Sequence, residues 1–269
     1  MDRFDLYELA VTDGPRLARF LAGVHGKSPR VLAEHFSGSG ALARAWPDAV
    51  TGGSSIAIDH DRTPLRKLAR AKGVRAVCID VRKSTHKADV IAATNFPVGY
   101  FHTRAALVGY LKHARSLLNA NGVFVCDLYG GSDAYTTGIT RKALRSPDGT
   151  RVSYKWEQRS ADPTTARVTN ALHFKLPARG ARKAREIKDA FVYDWRLWSI
   201  PELRDAAAEA GLTDMQIYNR LADALDSDGN VYVRPIDSGA DLDDPWVVYI
   251  ALRPSSAATR KPAKHRRSR

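Results

Sequence analysis

The stretch from Arg30 to Ala45, R-V-L-A-E-H-F-S-G-S-G-A-L-A-R-A, restricts the folds open to this chain more than any other. A short apolar run, Val31-Leu32-Ala33, leads into a tight turn, Ser37-Gly38-Ser39-Gly40, and then into Ala41 to Trp46, residues that favour helix. Strand, glycine loop and helix in that order open a nucleotide-binding α/β unit. Glycine suits the turn because, without Cβ, it takes positive φ and lets a ligand approach the backbone N–H groups. The first N–H groups of the helix lack partners inside it and add further donors. Taken alone, the loop is also compatible with an ordinary strand-to-helix turn.

Spacing strengthens the first reading. Ser54 to Asp59 is a second apolar strand ending in an acid, where this architecture holds ribose hydroxyls. Val74 to Ile79 forms a third, followed by Asp80, and Ala88 to Ala93 a fourth, ending at Thr94-Asn95. Successive strands thus finish in polar groups at the carboxyl edge, where open α/β sheets bind ligands.

With these residues the chain resembles the class I S-adenosylmethionine-dependent methyltransferases. Glu34 to Gly40 match the glycine motif, Asp59 the acid after it, Asp80 the acidic loop after the third strand, and Asn95 the motif after the fourth. The resemblance covers roughly residues 1 to 253. It implies S-adenosylmethionine as cofactor and S-adenosylhomocysteine as product. It also implies a cofactor site made of Glu34, Phe36, Ser37, Gly38, Gly40, Asp59, His60, Asp80, Val81, Asn95 and Phe96. In the family the glycine loop lies beside the methionine part, the second-strand acid binds ribose, and the Asp80-type residue lies near adenine. One position departs from the pattern E/D-x-G-x-G-x-G: Phe36 stands at the first glycine, which leaves the path of the loop open there. The departure also weakens a dinucleotide-binding alternative, which needs G-x-G-x-x-G and a closely approached pyrophosphate.

Ahead of the glycine loop, Phe4 to Val24 carries apolar residues at helical spacing, broken by Thr12-Asp13-Gly14-Pro15 into two helices. By the resemblance these helices, within residues 1–28, cover the cofactor site. Tyr7 then either reaches the ligands or is a core aromatic. His102, just past Asn95-Phe96-Pro97-Val98, is read either as a general base or as a surface histidine at a helix start. Arg104 to Leu118 has a strong helical apolar stripe, closed by an expected left-handed cap at Asn119 to Gly122. Gly122 to Leu128 is a fifth strand, apolar enough to be buried on both faces, and it exits through Asp127, Tyr129, Gly130 and Gly131, again at the ligand edge.

The pattern then changes to alternating polarity. Val152 to Glu157, Arg167 to Phe174 and Asp189 to Trp198 read as antiparallel strands, with Asp162-Pro163-Thr164 as a turn and Ala178 to Lys188 as a basic loop. Such a sheet inserted after strand five, at about residues 140–198, resembles the lid of glycine N-methyltransferase and amino-sugar N-methyltransferase enzymes. Candidate walls for the acceptor are Tyr7, Tyr129, Trp156, Tyr193, Arg196 and Trp198. Arg196 either binds an anionic group or lies as a cation over a tryptophan face. Ser199-Ile200-Pro201-Glu202 starts a capped helix. Met215 to Arg220 and Trp246 to Leu252 supply the last two strands, joined by an aspartate-rich loop whose Asp226-x-Asp228-Gly229 lacks the EF-hand pattern; no metal site is expected.

The expected architecture is therefore α/β: a Rossmann-like three-layer α/β/α sandwich, a mostly parallel seven-stranded sheet with its last strand antiparallel, and a small antiparallel β lid. Residues 29–253 form the methyltransferase domain. Residues 254–269 are expected to be a disordered basic tail, since the chain after Ile250 carries seven of its 42 Lys and Arg and no acid. That tail is read as a solubilising end or as an arm for nucleic acid. No apolar run nears the roughly 20 residues of a membrane helix, and the opening M-D-R-F-D-L-Y lacks a leader pattern. Cys78 and Cys126 fall in expected buried strands. A cytosolic (cytoplasmic) enzyme acting on a small-molecule acceptor through N or O is the leading reading, with no membrane partner and no oligomeric state specified. The alternatives are an RNA or protein methyltransferase using the tail, and a non-catalytic cofactor- or nucleic-acid-binding module.

Overall fold

The computed structural model describes residues 1–178, 180, 183–219 and 233–255. The N-terminal segment gives two helices, α1 (Arg3–Val11) and α2 (Gly14–His25). Asp13 caps α2 by accepting from the Arg16 N–H, and Pro15 sits in its first turn, as the break in the sequence requires. Alternating strands and helices follow: β1 (Val31–His35), α3 (Ala41–Ala49), β2 (Ser54–Asp59), α4 (Arg62–Leu65), β3 (Val74–Cys78), β4 (Ala88–Ala93), α5 (Arg104–Leu117) and β5 (Leu118–Gly130). An antiparallel insert contributes β6 (Gly138–Arg145), β7 (Arg151–Asp162), β8 (Arg167–Leu176) and β9 (Arg185–Arg196). The chain returns through α6 (Ile200–Glu209), β10 (Asp214–Tyr218) and β11 (Trp246–Arg253).

Seven strands form one sheet in the order β10-β11-β5-β4-β1-β2-β3, parallel except for β11, which runs antiparallel to both β5 and β10. Alternation along each strand divides the core between the two faces. Leu32, Val90, Val123 and Val125 pack under α2 and α3 with Leu17, Phe20, Leu21 and Trp46. Their neighbours Ala33, Ile91, Phe124 and Cys126 pack under α5 and α6 with Leu107, Leu111, Ala114, Leu203 and Ala206. This is the expected three-layer sandwich with its last strand reversed.

The second sheet has the order β6-β7-β8-β9. Its inner face (Tyr154, Val168, Leu172, Phe174, Tyr193 and Trp195) packs on Leu6 of α1 and on Phe96 and Tyr129 at the carboxyl edge of the main sheet. The sequence reading contained three of these strands. The fourth, β6, reads G-I-T-R-K-A-L-R and is exposed along nearly its whole length, so it carries no alternation to detect. The basic loop also shortens, because β9 starts at Arg185.

Other local expectations change. Cys126 is buried but Cys78 is exposed, because β3 ends the sheet and is covered less than the inner strands. No left-handed cap closes α5: Leu118 is extended, and the chain runs directly into β5. The left-handed residue is Asn121, φ 61°, at the irregularity where β5 changes register against β4. The helix after β2 is a single turn continued by a 3-10 turn at Arg66–Leu68. Within 1–28, α1 lies at the ligand edge, whereas α2 belongs to a helix layer on the sheet. The tail beyond Ser255, Arg220 at the expected end of β10, and the Asp226-x-Asp228-Gly229 segment lie outside the described residues.

Candidate functional site

The glycine loop is held by a network centred on Asp59. One Asp59 oxygen accepts the Gly38 N–H at 2.8 Å and the other the Asp61 N–H at 2.8 Å. The end of β2 is thereby tied to the loop after β1. The loop closes on itself through Gly40 N–H to Ser37 C=O, 2.8 Å, and Gly38 and Gly40 both have positive φ. Phe36, at the position of the missing glycine, also takes positive φ, 56°. The backbone follows the path that a glycine would take, with a side chain added. A left-handed non-glycine residue costs about 1 kcal/mol or somewhat more. The ring offsets this by packing against Tyr100, Phe101 and Tyr110, with centroids at 6.2, 6.2 and 5.8 Å. A specific ordering follows. Phe36→Ala and Phe36→Gly both lose the ring, but only glycine relieves the backbone, so the glycine variant should be more stable by about 1 kcal/mol in chemical denaturation. The reverse order would mean the loop does not have this conformation.

Behind the loop, Glu34 is 7% exposed and accepts the Ala43 N–H at 2.8 Å, joining β1 to the start of α3. Burial pushes its carboxyl up to about 8. The next residue, His35, faces the other side of the sheet and shares a hydrogen bond with the Tyr110 hydroxyl, 2.9 Å. Burial lowers its imidazole to about 3. A base held neutral in this way contributes stability above about 6.5 that is lost as pH falls toward 3. Thermal melts should therefore show His35→Asn declining less steeply than wild type between about pH 6.5 and 4.5. Equal slopes would rule out a buried neutral His35. Glu34 acts in the opposite sense: its contribution is full below its unfolded value of about 4.3 and is lost as pH rises through about 8.

A cavity of about 700 Å³ lies over the loop. Of the residues that the sequence assigned to a cofactor, it is lined by Glu34, Phe36, Ser37, Gly38, Asp59, His60, Asp80, Val81 and Asn95. Gly40 shapes the loop from behind, with Leu68 against its α-carbon. Phe96 lines a neighbouring cavity instead, where its ring meets Tyr129 and Trp195. Bonded to Arg82, Asp80 has its carboxyl held down at about 2. From above, α1 presents Arg3, Phe4 and Tyr7. It is fixed on one flank by Lys67 with Asp2 and Asp5, and by Arg3 near Asp61. On the other flank Phe4 and Tyr7 meet Phe191 of β9. Burial raises both the Tyr7 and the Tyr193 phenol.

A second cavity, about 900 Å³, adjoins the first and shares Thr12, Leu17 and Asn95 with it. Tyr129, Tyr154 and Trp156 wall it, and so does Asp127. Of the acceptor candidates, Tyr129 and Trp156 face this cavity, and Tyr7 and Tyr193 face the first. Asn170 of β8 donates to the Tyr129 hydroxyl at 3.2 Å. Arg196, Trp198 and His102 line neither. Arg196 lies 3.8 Å over the Trp198 ring and pairs with Glu202. Trp198 donates to the Phe101 carbonyl, and the His102 Nε2 is 2.8 Å from the Asp194 carbonyl. These residues seat β9 against the main sheet. The aromatic sequence Y-x-W-R-x-W offers no way to separate Trp195, whose ring meets Phe96 and Tyr129, from Trp198. Sequence reasoning placed Asp127 at the ligand edge without giving it a role; its two oxygens accept the N–H groups of Asn95 and Phe96 at 2.8 and 2.7 Å. Both of those residues have positive φ, 69° and 65°. An acid within an otherwise apolar fifth strand was the available signal.

No protein-family model matches the sequence, and no curated protein does. Solved structures do match in fold. An S-adenosylmethionine-dependent methyltransferase from Clostridium acetobutylicum aligns with TM-score 0.69 and 15% identity, covering 93% of this chain and 97% of that one. DesVI from Streptomyces venezuelae aligns with TM-score 0.70 and 16% identity, covering 94% and 97%. CalS10, an amino pentose methyltransferase from Micromonospora echinaspora whose structure holds S-adenosylmethionine, aligns with TM-score 0.66 and 15% identity, covering 93% and 95%. The fold is the one these methyltransferases have.

Proposed function

We propose that the chain is an S-adenosylmethionine-dependent methyltransferase that transfers a methyl group to nitrogen or oxygen of a small-molecule acceptor. The observation that carries this reading is the pair of adjoining cavities, one over an acid-anchored glycine loop and one under an aromatic sheet, sharing Asn95.

The residues of the first cavity fit the cofactor. Each Asp59 oxygen accepts one backbone N–H and keeps capacity for a ribose hydroxyl. The Ser37 hydroxyl is buried without a hydrogen-bond partner among the described residues, as expected of a group that a ligand satisfies. Asp80 and Val81 supply a polar and an apolar edge suited to adenine. Bound there, S-adenosylmethionine supplies a methyl group already activated by the sulfonium charge. The protein then has to align the acceptor, exclude water and manage one proton. Helix α1 covers the cofactor side, the inserted sheet covers the acceptor side, and the Asn95–Phe96 turn forms the partition across which the methyl passes. Calorimetric titration of the protein with S-adenosylhomocysteine tests the reading. Micromolar binding is expected, and absence of binding to folded protein would overturn it.

A further inference from the structure

Asp127 lies near the carboxyl end of β5, 3% exposed, on the wall of the second cavity. Its two hydrogen bonds engage one N–H per oxygen, and a carboxylate accepts about four. No ion pair among the described residues includes it. A buried carboxylate without a counter-charge is costly, and a cation brought to it recovers that cost. The other acids on this wall are placed differently: Asp13 is occupied as the cap of α2, and Asp133 is exposed. Location adds to the argument. Asp127 holds the N–H of Asn95, one of the residues common to both cavities, and lies near enough to Tyr7 of α1 to raise its phenol further.

We propose that Asp127 is a catalytic residue, whose carboxylate receives the ammonium group of the acceptor in the second cavity and takes its proton before methyl transfer. The inference rests on the methyltransferase reading and restricts the acceptor to an amine. The chemistry balances. The ammonium gives one proton to the carboxylate, leaving a neutral amine and a carboxylic acid. The nitrogen lone pair then forms the bond to the methyl carbon while the carbon–sulfur bond breaks, its electron pair going to sulfur. The products are a methylated ammonium and a neutral thioether. Burial raises Asp127 to about 7, which suits a proton acceptor working near neutrality. The ionisable groups near it do not compete: Tyr7 and Cys126, whose protons feel Asp127, and Tyr129 and Tyr154 of the same cavity are all raised by burial. The remaining charged groups of the cavity are Asp13 and Arg16 at α2, Asp133 after β5, and Lys142 on β6.

The test uses an isosteric pair of probes, phenethylamine and phenethyl alcohol, titrated at pH 8 into protein saturated with S-adenosylhomocysteine. Wild type should bind the amine at least about tenfold more tightly than the alcohol, the strength expected of a charge-assisted hydrogen bond. Asp127→Asn should lose that preference; its amide nitrogen then faces one of the two backbone N–H groups, so S-adenosylhomocysteine affinity, measured alongside, reports how far the Asn95–Phe96 turn is kept. Asp133→Asn should keep the preference. Equal binding of the two probes by wild type, no binding of the amine, or a preference that follows Asp133 overturns the proposal, and none of these needs a folded Asp127 variant. If S-adenosylhomocysteine itself fails to bind wild type, the methyltransferase reading falls as well. If it binds and the amine preference is absent, only the role of Asp127 falls.

Discussion

Asp59→Ala should weaken S-adenosylhomocysteine binding by about a hundredfold or more and leave the protein folded. The carboxylate has two tasks. It holds the Gly38 and Asp61 N–H groups, and under the proposed function it receives the ribose. Hydrogen bonds to a charged group contribute about 1.5–3 kcal/mol each, so losing two to the ligand removes two orders of magnitude or more. The fold bears less of the loss, because the loop edge is open to water and the freed N–H groups become hydrated. A small change in melting temperature with binding abolished is therefore the expected pair of results. Unchanged affinity measured by calorimetry would show that Asp59 only props the loop.

Gly40→Val should have the opposite profile and lose stability together with binding. Gly40 has φ 67°, and a Cβ there would stand 2.8 Å from Leu68 Cδ1 and 3.0 Å from Cδ2. The left-handed backbone costs a branched residue about 1–2 kcal/mol, and overpacking adds about 1–3 kcal/mol. Together these are about 3 kcal/mol, or about 6–12 °C in a domain of this size. The loop also has no second way to relax, since Gly40 N–H closes it onto Ser37 and Gly40 C=O accepts from Arg44 in α3. A variant that melts like wild type would mean the loop is freer than its geometry indicates.

The main sheet was legible in the sequence because its strands carry their own signals. Buried runs such as Val123 to Cys126 and the acids at strand ends do not depend on distant partners. The inserted sheet was legible only where one face is buried, which is why β7, β8 and β9 were visible and β6 was not. The site divides in the same way. Asp59 and the glycine loop are local and were found. The roles of Trp195, Trp198 and Arg196 depend on how β9 meets the turn at Phe96 to Phe101, and sequence spacing does not encode that meeting. The role of Asp127 was hidden for a related reason. Its partners, the N–H groups of Asn95 and Phe96, lie about thirty residues earlier, and they converge on it only because β4 and β5 are neighbours in register.

Helix α1 is tied down by surface charges: Lys67 with Asp2 at 3.0 Å, Lys67 with Asp5, and Arg3 near Asp61. Such pairs contribute little individually, about 0–1 kcal/mol, and dissolved salt weakens them within a screening length of about 8 Å at physiological ionic strength. The cover over the first cavity is thus held by Phe4 and Tyr7 against Phe191 on one flank and by screened charges on the other, and under the proposed function it should open on the charged flank first. Ionic strength then sets how long a bound ligand stays. Dissociation of S-adenosylhomocysteine should quicken as salt rises, and an enzyme limited by release of its product would turn over faster in brine than in dilute buffer.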